Sequence, residues 1–286
     1  MRQIHNLLIN GLHGRPVLMD VYYHKNGRPK PVVVFSHGFK GFKDWGAWHL
    51  VAQQFADAGI IFALFNFSYN GTTLEKPDEF ADLEAFGNNN YSIELDDLGV
   101  VIDHLLNSNG IVPDEEKDTR NLFLCGHSRG GGITILKARE DSRVTGIATW
   151  AGVCSYHRHI SQGNAVEEWR KKGVVYIQNA RTQQQMPLYF QLYENTMQNF
   201  NRLHIEEAAK TLQCPLLIVH GTTDPVVLYE EAEMLHQWQP RSSLLPIPDA
   251  NHVFGMRHPW TSNELPPHAQ TMTNATIQFF KEHQTL

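Results

Sequence analysis

A hydrophobic run long enough to cross a bilayer is missing from this sequence. The longest strongly apolar stretch, Gly59 to Phe67, is about half of the ~20 residues that a spanning helix needs. It reads instead as a strand buried on both faces, so no membrane partner is expected. Positive charge is scarce as well. Lys and Arg number 24 against 30 Asp and Glu, for a formal net charge of −6. The short run Arg170-Lys171-Lys172 reads as a solvated helix end, so no nucleic-acid partner, which needs a basic face, is expected. Cysteine is rare: Cys125, Cys154 and Cys214 fall beside predicted strands rather than in turn-rich loops, which suits buried reduced thiols and excludes a disulfide framework. Met1 to His5 lacks a basic stretch leading into an apolar run and a small-residue cleavage site, so a cytoplasmic location is expected, although a chain with its signal removed would read the same. Internal repeats at solenoid spacing and low-complexity tracts are also lacking.

What is present describes a globular chain. Of 286 residues, 42% are hydrophobic and 19% charged, far from the low-hydropathy, high-charge regime of disorder. Two β-rich runs, Ile4–Asn10 and Pro16–Tyr23, flank Gly11 and Gly14 and read as an antiparallel hairpin. Continuous apolar runs then recur at Pro31–Phe35, Ile60–Phe67, Asn121–Cys125, Val144–Trp150, Pro215–Val219 and Ser243–Ile247, as a parallel sheet buried on both faces requires. Segments with helical spacing alternate with them: Trp45–Ala58, with Asp44 as its cap, then Ile93–Leu106, Gly130–Ala138, Val227–Gln237 and His268–Glu282. The expected class is α/β, a mostly parallel central sheet flanked by helices, with ligands bound at the carboxyl ends of the strands. Ser68–Asn90 has no sustained period and reads as an irregular excursion. Residues 153–211 break the alternation for too long to be a connection. They are expected to form a helical cap inserted into a core made of 1–152 and 212–286.

The chemistry centres on Gly126-His127-Ser128-Arg129-Gly130, a G-x-S-x-G pattern between a β run and a helical segment. In a nucleophile elbow the serine occupies a sharp strained turn, and its neighbours two residues away must be small for strand and helix to pass. The alternative is a glycine-rich turn with an ordinary helix-capping serine. A phosphate loop is excluded, since Gly131-Gly132 is not followed by Lys-Ser or Lys-Thr. Serine is a poor nucleophile without a base held in one tautomer by a third group. Downstream, Asp224 follows the run Pro215–Val219, and His252 follows the run ending near Pro248. Both lie in loops at carboxyl ends of strands. Asp224 could otherwise cap a turn before Pro225; His258 is the rival base and Asp249 the reserve acid. An oxyanion hole, worth on the order of 3 kcal/mol per donor, is expected from the backbone N–H groups of Arg129 and of Phe39 in Ser36-His37-Gly38-Phe39. His37 reads as a structural residue at the strand end.

On these residues the chain resembles the α/β-hydrolase superfamily, in its bacterial carboxylesterase, cinnamoyl-esterase and serine-peptidase-like branches. The resemblance rests on Ser36-His37-Gly38-Phe39, Gly126-His127-Ser128-Arg129-Gly130, Gly221-Thr222-Thr223-Asp224 and Asn251-His252, and covers most of the chain except the cap. It implies a serine hydrolase with no cofactor, acting through an acyl-enzyme on small-molecule esters of small or medium acyl or aryl groups. The same triad also serves peptidases, amidases, thioesterases and acyltransferases, and a hydrolase fold can survive as a non-catalytic binding protein. Serine at 128 argues against the aspartate-dependent epoxide and haloalkane branches. Cap aromatics Tyr189, Phe190 and Tyr193, with Met186 and Met197, read as the cap's own core. His157-Arg158-His159 lacks a third ligand at metal spacing, so no metal site is expected.

Overall fold

The computed structural model describes every residue except Ser108, Asn109, His159, Ser161 and Leu286. Its framework is an eight-stranded sheet formed by β1 (Arg2–Asn10), β2 (Pro16–Tyr23), β3 (Lys30–Ser36), β4 (Ile61–Asn66), β5 (Lys117–His127), β6 (Val144–Trp150), β9 (Leu216–Gly221) and β10 (Ser243–Ile247). The spatial order is β1-β2-β4-β3-β5-β6-β9-β10. β1 and β2 pair antiparallel, β2 runs antiparallel to β4, and every other pairing is parallel. All seven residues of β3 are buried, the physical meaning of its unbroken apolar run: both faces are covered by helices.

Helix α1 (Trp48–Asp57) buries Trp48, Val51, Ala52, Phe55 and Ala56, a 3.6-period stripe, and packs with α9 (Pro267–Glu282) on one face of the sheet. The other face carries α3 (Tyr91–Leu106), α4 (Arg129–Glu140), α7 (Ile205–Thr211) and α8 (Tyr229–Trp238). Asp44 does not cap α1. The helix starts three residues beyond the expected Trp45, with Ala47 at its N-cap, because the buried Lys43 ammonium takes Asp44 as a partner at 2.6 Å and Asp20 at 2.9 Å. Satisfying a buried charge outweighs a helix cap. The excursion after β4 is irregular apart from the short α2 (Leu83–Asn88).

The segment between β6 and β9 contains α5 (Asn164–Lys172), α6 (Gln191–Gln198) and α7, and also an antiparallel hairpin, β7 (Val174–Gln178) with β8 (Gln185–Tyr189). The sequence reading did not anticipate that hairpin. Its strands are short and half exposed, so they lack the apolar runs that marked the main sheet. Met186 of β8 is buried with Phe42, Phe80 and Phe86 in a satellite cluster, which ties the hairpin to the loop after β3 and to the excursion. Among the described residues no helix is long and apolar enough to cross a membrane.

Candidate active site

Ser128 stands in the turn between β5 and α4 with φ 56° and ψ −120°. That conformation is strained for a side chain with a Cβ. It is held by the surrounding backbone: Ser128 N–H donates to Trp150 O at 2.9 Å, and Ser128 O accepts from Gly131 N–H at 3.0 Å and Val153 N–H at 3.2 Å. A Cβ on Gly126 would fall 2.1 Å from Gly130 O, and one on Gly130 would fall 2.2 Å from Ser36 O. Only glycine lets β3, β5 and α4 approach so closely. Ser128 occupies the N-cap of α4, yet its side chain makes no cap hydrogen bond, so the hydroxyl is not used as an ordinary helix cap.

Asp224, in the loop after β9, uses its two oxygens differently. Oδ1 accepts from the N–H groups of Val226 at 2.8 Å and Val227 at 3.0 Å, closing a turn, while Oδ2 lies 2.7 Å from His252 Nδ1. The turn-capping and histidine-orienting roles weighed as alternatives are thus filled by one carboxylate. His220, fully buried four residues upstream, donates Nε2–H to Val227 O at 2.8 Å and stands 3.4 Å from Asp224 Oδ2. Burial alone would raise the Asp224 carboxyl, but hydrogen bonds from His220, His252 and Val226 outweigh it and hold the group below the usual carboxylate range. His258 is engaged elsewhere: its Nδ1 accepts from Gly46 N–H at 3.0 Å. Asp249 is exposed, and its N–H donates to Thr222 Oγ1.

Two more histidines are fixed as neutral tautomers. His37 donates Nδ1–H to Gly38 O at 2.8 Å, and burial pushes it down to about 4. His127 Nε2 lies 2.9 Å from His252 O, an acceptor only, so this nitrogen carries the proton. Burial, reinforced by the neighbouring His252 imidazole, takes His127 down to about 3. Sequence reasoning passed over His127, inside the quoted motif around Ser128, and His220, immediately before Gly221.

It also missed the side chain of Arg129. Its guanidinium is buried against Glu94 Oε1 at 3.0 Å and stacks over Phe39 at 4.0 Å and Tyr91 at 4.9 Å. Arg129 O accepts from Tyr156 OH at 2.9 Å, and Tyr156 in turn lies flat on Tyr91 with centroids 3.8 Å apart. The ion pair therefore ties the residue after Ser128 to α3, and the stacking over Phe39 ties it to the loop after β3. The sequence signal was an acid, Glu94, on the buried face of a helix. Among the described residues neither the Phe39 nor the Arg129 backbone N–H has a hydrogen-bond partner, and both residues line a cavity together with Ser128.

Two cavities meet at Ser128 and Phe39. The first, about 350 Å³, is mostly apolar and is lined by Tyr91, Tyr156 and, from the inserted segment, Trp169, Ile177, Leu188 and Leu192. The second, about 430 Å³, includes Trp48, His127 and His252, with Asn179 to Arg181 of the β7–β8 turn above them. The insertion therefore covers both sides of Ser128. Phe190 and Tyr193 stack on each other and Met186 joins the satellite cluster, but Met197 is partly exposed. Among the described residues no group of three or more His, Cys, Asp or Glu could hold a metal ion. His157 packs on Phe200, whereas His159 lies outside the described residues.

A family model described as the alpha/beta hydrolase family matches residues 33–261. No curated protein matches the chain. Among solved structures, Est1E from Butyrivibrio proteoclasticus is 16% identical with a TM-score of 0.70, over 98% of this chain and 99% of its own. The esterase domain of a Rhodothermus marinus protein is 18% identical with a TM-score of 0.68, over 99% of both chains. A dienelactone hydrolase from Anabaena variabilis is 15% identical with a TM-score of 0.64, again over 99% of both. At these identities the likeness is one of fold.

Proposed function

The chain belongs to the alpha/beta hydrolase family, and on that premise we propose that it is a serine hydrolase cleaving carboxylic esters of small or medium acyl or aryl groups. The observation that carries the reading is the Asp224–His252 hydrogen bond at 2.7 Å, with His252 lining the same cavity as a serine held at positive φ and not spent as a cap. In the proposed reaction Asp224 holds His252 with its proton on Nδ1, leaving Nε2 as the base that takes the Ser128 proton. Ser128 Oγ attacks the ester carbonyl, and the Phe39 and Arg129 N–H groups receive the charge on the carbonyl oxygen. The His252 imidazolium then protonates the departing alkoxide. Water, activated by the same base, releases the acid and regenerates Ser128.

The mostly apolar cavity that includes Ser128 but not His252 is the natural place for the acyl group. Its volume of about 350 Å³ lies at the small end of ligand pockets. A phenyl or short aliphatic acyl group fits, while a long fatty chain outruns it. The test is labelling by a fluorophosphonate, which requires an activated serine, followed by a series of p-nitrophenyl esters of rising chain length beside matched thioesters and amides. Rapid labelling at Ser128 and a rate maximum at short or aromatic acyl groups are expected. No labelling would point to a binding protein, and preference for the amides would move the assignment to a peptidase.

A further inference from the structure

The second cavity has a charge unlike that of the chain around it. Lys40, Arg181 and Arg257 all line it, and no carboxylate does, in a protein with six more acids than bases. Among the described residues none of these three side chains has an ion pair or a side-chain hydrogen bond. Lys40 lies 5.8 Å over the Phe39 ring and Arg181 6.0 Å over that of Phe42. Several other cations are matched, as Arg15 is with Asp82, Arg129 with Glu94 and Arg202 with Glu140. The acids nearest to the cavity do not fill the gap. Asp44 is bound to Lys43, and Asp224 to His252; Asp78 is exposed and acts on His258.

His252 lines this cavity and not the apolar one. The atom that His252 protonates is the departing oxygen, so the leaving group must lie on its side of Ser128. We propose that the second cavity binds a leaving group that carries an anionic substituent, a carboxylate or a phosphate, held by Arg181, Arg257 and Lys40. The proposal rests on the reading of Ser128 and His252 given above. Its physical basis is unmatched charge. Lys40 is half-buried with no counterion, and burial lowers its ammonium below the ordinary value. An incoming anion repays that desolvation, while a second cation would aggravate it. Two guanidiniums also suit the planar, two-oxygen edge of a carboxylate or phosphate.

The experiment uses product-like phenols and does not depend on turnover. 4-Hydroxybenzoate, 4-hydroxyphenyl phosphate and neutral 4-hydroxybenzamide are titrated by calorimetry into the Ser128→Ala protein. Either anion should bind at least about 10-fold more tightly than the amide, with an advantage that shrinks as salt rises. The tighter of the two anions assigns the substituent. Arg181→Gln and Arg257→Gln, both at exposed positions, should each remove most of that advantage. Equal binding of the anions and the amide, or anion binding unchanged in both arginine variants, overturns the proposal. Failure of the serine-hydrolase reading shows separately, as hydrolysis of p-nitrophenyl acetate that survives Ser128→Ala.

Discussion

His127 Nε2 lies 2.9 Å from the backbone carbonyl oxygen of His252, and the two imidazole rings are 4.8 Å apart. The residue before Ser128 thus anchors the loop that carries His252, the proposed base. Since His127 titrates at about 3, it stays neutral and donating across the whole working range. His127→Phe keeps the bulk but removes the donor. It should lower kcat/KM by about 10-fold or more, on the scale of misplacing a catalytic group. His127→Gln, whose amide can still donate, should recover part of the loss. Equal activity of Phe and Gln variants in steady-state assays would show that the contact is packing only.

Ser128→Ala should abolish turnover, by about a thousandfold or more, and leave the fold intact. The hydroxyl holds nothing together, because it makes no cap bond, and alanine tolerates the same backbone as poorly as serine does. Initial rates on p-nitrophenyl acetate, with near-ultraviolet circular dichroism as the check on folding, decide it. More than a few percent of residual activity in a clean preparation contradicts the assignment.

Asp224→Asn tests the orienting role. The Asn carbonyl can still accept from Val226 and Val227, so the turn survives, but its amide now faces His252 Nδ1 with a donor and favours the wrong tautomer. A fall in kcat of roughly a thousandfold to ten-thousandfold is expected if Asp224 plays the part of the aspartate in a Ser-His-Asp triad. His258→Ala and Asp249→Asn should cost far less. If His258→Ala is the most damaging of the three, the base has been misassigned.

The close approach of strand and helix beneath the serine should tolerate no side chain. Gly126→Ala and Gly130→Ala each drive a Cβ to 2.1 or 2.2 Å from a backbone oxygen, which a rotamer change cannot relieve. Each should destabilise by about 3 kcal/mol or more, read as a lower midpoint of urea unfolding. Gly99→Ala is the control. Its Cβ meets only the end of the Lys137 side chain, with the ammonium at 3.1 Å, which needs to shift by only a few tenths of an ångström, and a mid-helix alanine should stabilise by up to about 1 kcal/mol.

Asp97 makes stability depend on pH. Burial raises its carboxyl to about 7, Ser68 opposes this with hydrogen bonds from its N–H and hydroxyl, and Glu94 and Asp96 add to the rise. The folded value lies above the unfolded one of about 4, so the folded state holds the extra proton in between. Stability is therefore fully present below about pH 4 as far as this group is concerned, and is lost as pH rises through 7. At about 1.4 kcal/mol per unit the loss is on the order of a few kcal/mol. Asp97→Asn should flatten the dependence of Tm between pH 5 and 8.5. A variant with the wild-type slope would assign that slope to another group.

The strands of the eight-stranded sheet, five of the helices and the places of Ser128, Asp224 and His252 in loops at strand ends were legible in the sequence because each depends on local chemistry. Unbroken apolar runs state burial on both faces, and G-x-S-x-G states a turn that only small neighbours permit. An acid and a histidine after successive strand runs must sit at one end of a parallel sheet. What the tertiary structure alone decided depends on which distant segments touch. That Asp224 meets His252 and not His258 follows from how two loops fold over β9 and β10. Lys43 drew Asp44 away from α1, a choice made by a buried ammonium whose other partner, Asp20, is 23 residues away. The short strands of the β7–β8 hairpin have no periodicity to announce them, since their stability comes from packing on Phe42, Phe80 and Phe86. The division of the site into an apolar side and a cationic side arises in the same way. Lys40, Arg181 and Arg257 are far apart along the chain, and only the folding of the insertion over Ser128 brings them to one cavity.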